Sequence, residues 1–209
     1  MSTLYLSTAY LAPVSYYKAI CRHDHTVIEA HSHYVKQTYR NRCTIVSAGG
    51  PLPLSIPVER TLPGRPFTRD MRISLHDNWQ HIHWNAIASA YGSSPFFEYF
   101  RDELYPFYER SCAGRFLLDY NRSLHETLCG MLGIDPDIAY SDSYLAADEN
   151  VTDLREVIHP KRPPVQELLP RPYYQVFSMK WGFLPEVSII DLLFNMGNEA
   201  LLVLYDRGC

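Results

Sequence analysis

The residues from Lys36 to Cys43, Lys36-Gln37-Thr38-Tyr39-Arg40-Asn41-Arg42-Cys43, gather cations, amides and tyrosine just before an apolar run. Arginine forks carboxylates and phosphates, lysine offers a point charge, and Asn and Gln read hydroxyls and amides. Lys36, Arg40, Asn41 and Arg42 are therefore candidates for holding an anionic small molecule, a nucleotide or a sugar. The same set also suits a polar strand entrance whose arginines pair with nearby acids. A second candidate is His83. In the stretch from Asn78 to Phe100, Trp79, Ile82, Ala86, Ile87 and Ala90 recur at helical spacing, and at about 100° per residue His83 falls within their face. An inward imidazole is either a core histidine with one partner or an acid/base in a cleft. His81 points nearly the opposite way, so the two rings cannot chelate one metal from a helix.

Other chemistry-bearing residues are more scattered. Glu29, His31 and His33 share a face if their segment is extended, and two imidazoles with a carboxylate could bind zinc or iron. A solvated strand end is the plainer reading, so no metal is assigned. The loop after the first strand, around Tyr10 and Ser15, precedes a helix whose N-terminus could hold a phosphate, although no glycine-rich fingerprint is present. His159 and Lys161 sit in a proline-rich stretch, 157–176, which ends near Gln175. Asp191 and Asn195 lie four apart on one side of an otherwise apolar helix; they either cross-link the core or face a cleft.

These groups need a scaffold. Residues 4–6 read as a buried strand, 14–22 as a helix and 26–30 as a second strand, the opening of many α/β domains. Residues 43–47 and 52–58, joined by Gly49-Gly50-Pro51, read as a hairpin, and 71–74 as another short strand. Asn78 is a candidate cap for the first central helix. Ser94 and Pro95 would restart a second, which Pro106 ends. A helix over 117–132 stops at Gly133. Residues 138–145 form a candidate strand, and 148–155 are polar and exposed. Ser188 caps a last helix that Gly197 stops, with Asp191 as a short capping-box partner. Residues 201–205 suit a final strand. The expected architecture is a single three-layer α/β domain over residues 1–209, with a mixed, partly parallel sheet flanked by helices.

Composition narrows the class. A chain of 209 residues can bury a sizeable core. The net charge of −4 and the lack of a Lys/Arg run argue against nucleic acid as partner. No stretch approaches the roughly 20 apolar residues of a membrane span, and the N-terminus does not read as a signal peptide. The five cysteines, Cys21, Cys43, Cys112, Cys129 and Cys209, are scattered without a C-x-x-C pair, which fits reduced thiols in cytoplasm.

The order of several stretches resembles the WbqC-like family of bacterial proteins. They are LYLSTAYLAPVSYY, KQTYRNRCTI, PLPLSIPVE, NWQHIHWNAIASAYGSSPFF, PYYQVF and GFLPEVSIIDLLFNMG. Together they span nearly the full chain, and the similarity is greatest to Bacteroidetes-type members. The resemblance implies a cytoplasmic role near O-antigen polysaccharide or activated-sugar metabolism, and supplies no agreed mechanism. Many relatives carry a Gln-Pro or His-Pro pair before the first helix; here Ser7-Thr8-Ala9-Tyr10-Leu11-Ala12-Pro13 keeps only the tyrosine and the last proline. The opening also resembles nucleotide-binding α/β domains of the nucleotidyltransferase kind, a likeness of fold alone.

Three functions remain open on this reading. The first is an enzyme moving a small acyl or aminoacyl group to an activated sugar. Tyr10, Lys36, Arg40, Asn41 and Asp191 would bind substrate, His83 would act as base, and Arg42 would stabilise an oxyanion. His159 and Gln175 would close the site. The second is a non-catalytic module binding a glycan precursor, nucleotide or partner protein. The third is a metal hydrolase built on Glu29, His31 and His33. No cofactor is specified by any motif.

Overall fold

The computed structural model describes residues 1–59, 64–75, 77–146 and 148–206. β1 (Thr3–Ser7), α1 (Val14–Cys21) and β2 (His25–Glu29) open the chain as the sequence predicts. The two strands are parallel, with Thr3 opposite His25 and Ser7 opposite Glu29. Parallel neighbours need a crossover, and α1 supplies it. Its residues from Val14 to Ile20 are all buried, Lys18 included, whose Nζ donates to the Leu169 carbonyl at 2.9 Å.

β3 (Arg42–Ser47) and β4 (Gly50–Ser55) form an antiparallel hairpin with Arg42 opposite Ser55. It is a two-stranded sheet separate from the main one. Residues 71–74, expected as a strand, make only isolated bridges, Val58 to Ile73 and Arg72 to Phe116. A short apolar run without a continuous partner cannot extend a ladder.

α2 (Trp79–Tyr91) and α3 (Phe97–Leu104) follow, and a 3₁₀ turn at Tyr105–Tyr108 containing Pro106 ends the second. The buried side of α2 is Trp79, Gln80, His83, Ile87, Ala90 and Tyr91. Ile82, predicted on that face, is 61% exposed instead. The face is set by what covers it: Tyr10, Tyr108 and Tyr120 pack on the Trp79–His83 side. Asn78 makes no side-chain cap, and Phe96, not Ser94, precedes the first residue of α3. α4 (Leu117–Leu132) matches its predicted bounds. Gly133 closes it at φ +68°, donating to the Cys129 and Gly130 carbonyls.

β5 (Ile138–Tyr140) and β6 (Val151–Asp153) complete a four-stranded parallel sheet in the order β5-β2-β1-β6. The fold is thus α/β, with antiparallel pairing in the hairpin and in isolated bridges, outside the main sheet. β6 lies in the stretch read as exposed and polar; three residues, Val-Thr-Asp, carry no periodic signal. α5 (Ser178–Trp181), α6 (Ile189–Met196) and α7 (Ala200–Leu204) end the described chain. α7 occupies the segment expected as a final strand; its continuous apolar run, ALLVL, does not distinguish strand from helix by period. α6 is buried all round and packs on α1, α3, β3 and α7, with Ser188 Oγ accepting from the Ile190 N–H. Among the described residues, Cys21, Cys43, Cys112 and Cys129 are free thiols, no helix is long and apolar enough to cross a membrane, and Cys209 lies outside them.

Candidate functional site

A concavity of about 810 Å³ opens beside the hairpin. Lys36, Asn41 and Arg42 line it, as do Gln37, Ser55, Glu59, Arg65 and Asp77. The strand pairing explains the placement of Arg42. It is the first residue of β3, paired with Ser55 at the end of β4, and its Nε donates to Ser55 Oγ at 3.0 Å. Asn41, one residue earlier, donates Nδ2 to the Ile56 carbonyl at 2.7 Å, which leaves its buried Oδ1 without a partner among the described residues. Lys36 and Arg65 are exposed and add two further cations. A cleft of this size with cations, an unpartnered amide acceptor in its wall and carboxylates suits a polar anion with hydroxyls. Arg65, Glu59 and Asp77 had no signal in the sequence, because loop residues carry no spacing that says which wall they reach.

Arg40 goes elsewhere. It is 3% exposed and turns towards the mouths of β1 and β6, donating to Ser7 Oγ at 3.0 Å and to Glu156 at 3.3 Å. His159 lines the same narrow crevice. Its Nδ1 accepts the Lys161 N–H at 3.0 Å, and burial lowers its pKa. Adjacent strands whose connections diverge often leave a ligand crevice at their carboxyl ends. Here protein side chains fill most of that place. Arg155 bridges Glu29 at 3.1 Å and Asp153 at 2.5 Å.

Tyr10 and His83 form a sealed pair. The Tyr10 hydroxyl lies 3.0 Å from His83 Nδ1 and 3.0 Å from the Tyr108 hydroxyl. Burial pushes the His83 ring down to about 4, against a hydrogen bond to the Ser55 backbone that works the other way. A neutral ring that donates to that backbone accepts from Tyr10 at Nδ1, and Tyr10 in turn accepts from Tyr108. His83 is 3% exposed and is not among the residues lining the Arg42 cleft. Ser55 lies between the two, its side chain meeting Arg42 and its backbone meeting His83.

Gln175 and Asp191 form a buried cross-link. Tyr173 Oη and Gln175 Nε2 each donate to Asp191 Oδ1 at 2.8 Å, and Tyr91 Oη donates to Oδ2 at 3.0 Å. Tyr91 also accepts the Val46 N–H at 3.2 Å. Burial raises the Asp191 carboxyl above its usual range while these donors pull it back. The cluster ties α2, β3, the 173–175 segment and α6 together; the capping-box role expected for Asp191 is not what its side chain does.

The Glu29, His31, His33 set does not converge. Glu29 is fully buried and both its oxygens are engaged, Oε1 by the His31 N–H and Ser141, Oε2 by the Leu145 N–H and Arg155. His33 stacks on Phe67 at 4.8 Å and contacts the Arg65 carbonyl at 2.8 Å. Among the described residues no three His, Cys, Asp or Glu side chains form a metal-binding group.

Comparison with known proteins agrees with the order of these pieces. An uncharacterized protein of Mycobacterium tuberculosis is 29% identical over 211 residues, covering 88% of this chain and 89% of the relative. No solved structure matches the chain. The model of the WbqC-like protein family matches residues 8–160, which takes in the exit loop of β1, the hairpin with its cleft, helices α1 to α4, and strands β5 and β6. With the greater part of its length matched, including every residue named above as lining that cleft, the chain belongs to the WbqC-like protein family.

Proposed function

We propose that the protein binds an anionic activated sugar, a nucleotide sugar or sugar phosphate, in the Arg42 cleft and acts on it in cell-surface polysaccharide metabolism. The observation that carries this reading is the convergence of Lys36, Arg42 and Arg65 with the unpartnered Asn41 Oδ1 on one cavity. The cations suit phosphate oxygens, and the amide acceptor suits a sugar hydroxyl. Family membership supports the setting, through the polysaccharide locus from which the family takes its name. The free thiols support a reducing compartment, the cytoplasm.

Small-group transfer, acyl or aminoacyl, is the chemistry we assign. Glu59 and Asp77 in the cleft are carboxylates of the type that takes a proton from an attacking hydroxyl or amine, and Arg42 would steady the oxyanion that develops. His83 and Tyr10 then act from behind the cleft, by fixing the Ser55 segment. Arg40 and His159 hold the adjoining loops, and Gln175 and Asp191 hold α6. A second reading, binding without turnover, is favoured by one observation: no histidine is among the described residues lining the cleft.

Calorimetric titration with UDP-glucose, UDP-N-acetylglucosamine and glucose 1-phosphate tests the proposal. Binding that weakens by about tenfold or more in Arg42→Ala supports it. No binding by any of these probes overturns it. Consumption of the bound sugar with an acyl donor present, followed by NMR, separates the enzyme from the binding module.

A further inference from the structure

A second concavity, about 280 Å³, lies beside the start of α2. Its lining includes Gln80, His81, Trp84, Tyr105, Glu109 and Arg110. The aromatic part is Trp84 and Tyr105, with ring centroids 5.0 Å apart at 68°, and Tyr108 packs behind Trp84 at 5.6 Å. Tyr105 is 46% exposed although it packs on a tryptophan, so part of its ring faces solvent beside polar groups. His81 Nε2 accepts from Asn85 Nδ2 at 2.9 Å, which puts the ring proton of the neutral form on Nδ1 as a donor. Glu109 and Arg110 are exposed neighbours of opposite charge.

Gln80 is the telling residue. It is 4% exposed, it lines this groove, and its Nε2 has no hydrogen-bond partner among the described residues. Buried amides are normally paired, and an unpaired one points to an acceptor that is absent from the free protein. Aromatic rings receive the C–H face of a pyranose, while planar amide, carboxylate and guanidinium groups pair with its hydroxyls. The charges here are balanced, unlike the cation-rich Arg42 cleft, so this groove suits a neutral ring and not a phosphate.

We propose that the groove binds a neutral sugar ring, the end of a glycan or a simple glycoside. The two concavities adjoin along the chain, since Asp77 lines the larger and Asn78 the smaller. If the larger cleft holds the activated sugar, the ring in the groove is the second sugar-bearing partner; that role rests on the function proposed above, whereas the binding itself does not.

Titration of the full chain, with its tryptophan indoles labelled with ¹⁵N, tests this. The probes are methyl β-glucopyranoside, methyl β-galactopyranoside and methyl N-acetyl-β-glucosaminide. At least one should move the Trp84 indole signal, identified by its loss in Trp84→Phe, and leave those of Trp79 and Trp181 in place. Tyr105→Ala should weaken that binding by about tenfold, and Arg42→Ala should leave it unchanged. Gln80→Met should weaken it too while the free protein stays as stable or gains stability, because the unpaired amide is gone. A Trp84 signal that no glycoside moves, or an affinity that Tyr105→Ala does not change, overturns the proposal. Glycoside binding here without any nucleotide sugar in the larger cleft would remove the function proposed above and leave this site; the reverse would remove this site alone.

Discussion

The hydroxyl of Tyr10, in the loop leaving β1, lies 3.0 Å from Nδ1 of His83 in α2, and both side chains are buried. Burial lowers the pKa of the ring, so it is neutral at ordinary pH and accepts a hydrogen bond from the Tyr10 hydroxyl at Nδ1.

A pH dependence of stability follows from that. Burial holds the folded His83 down to about 4, below the ordinary imidazole value of 6.5, and His125 behaves alike because it too is buried. Between those values the unfolded chain binds more protons, so stability is full above about pH 6.5 and falls as pH drops towards 4. Each ring contributes up to roughly 3 kcal/mol to that loss. Urea unfolding from pH 7 to pH 4.5 should show the slope, and His83→Asn should make it shallower. An unchanged slope in that variant would remove His83 as a cause.

Glu186 acts with the opposite sign. Burial raises its carboxyl to about 7, although Ser15 Oγ donates to it at 3.1 Å. A raised acid is protonated in the fold and ionised in the unfolded chain between pH 4.5 and 7, so its effect is to lower stability as pH rises through that window. Glu186→Gln should raise the melting temperature at pH 8 relative to the parent, and the gain should vanish near pH 4.5. Differential scanning fluorimetry at both pH values checks it.

Tyr91→Phe should destabilise the fold by about 1–3 kcal/mol, because Asp191 and the Val46 N–H both lose a partner in a buried place. Chemical denaturation measures it. Nucleotide-sugar affinity should be kept in the fraction that folds, since Tyr91 does not line the Arg42 cleft.

Gly197 ends α6 at φ +53°, and a Cβ there would come within 2.7 Å of the Phe96 ring. Gly197→Ala should cost about 1–3 kcal/mol from backbone strain and displacement of that ring. Gly130, in the last turn of α4, is the control, since a Cβ there would meet nothing within 4 Å: Gly130→Ala should be neutral or stabilising by up to about 1 kcal/mol.

The sequence by itself determined the elements whose pattern is long and local. The α4 helix, the Gly133 stop, the buried character of α6 and the hairpin are all written in periodicity and turn residues, and the polar run from Lys36 to Arg42 marked one wall of the cleft. It could not sort that run. Arg40 and Arg42 are two apart and would share one face of a continuous strand, yet β3 starts only at Arg42, and the bend before it sends Arg40 into the crevice by β1 and β6 and leaves Arg42 in the cleft. Tertiary structure also decided that Ile82 faces solvent, that Asp191 is a cross-link, and that Gln80 and Tyr105, far apart in the chain, share a groove. Local pattern records how often a residue points inward; which neighbour it finds there depends on contacts between distant segments, and those exist only once the chain has packed.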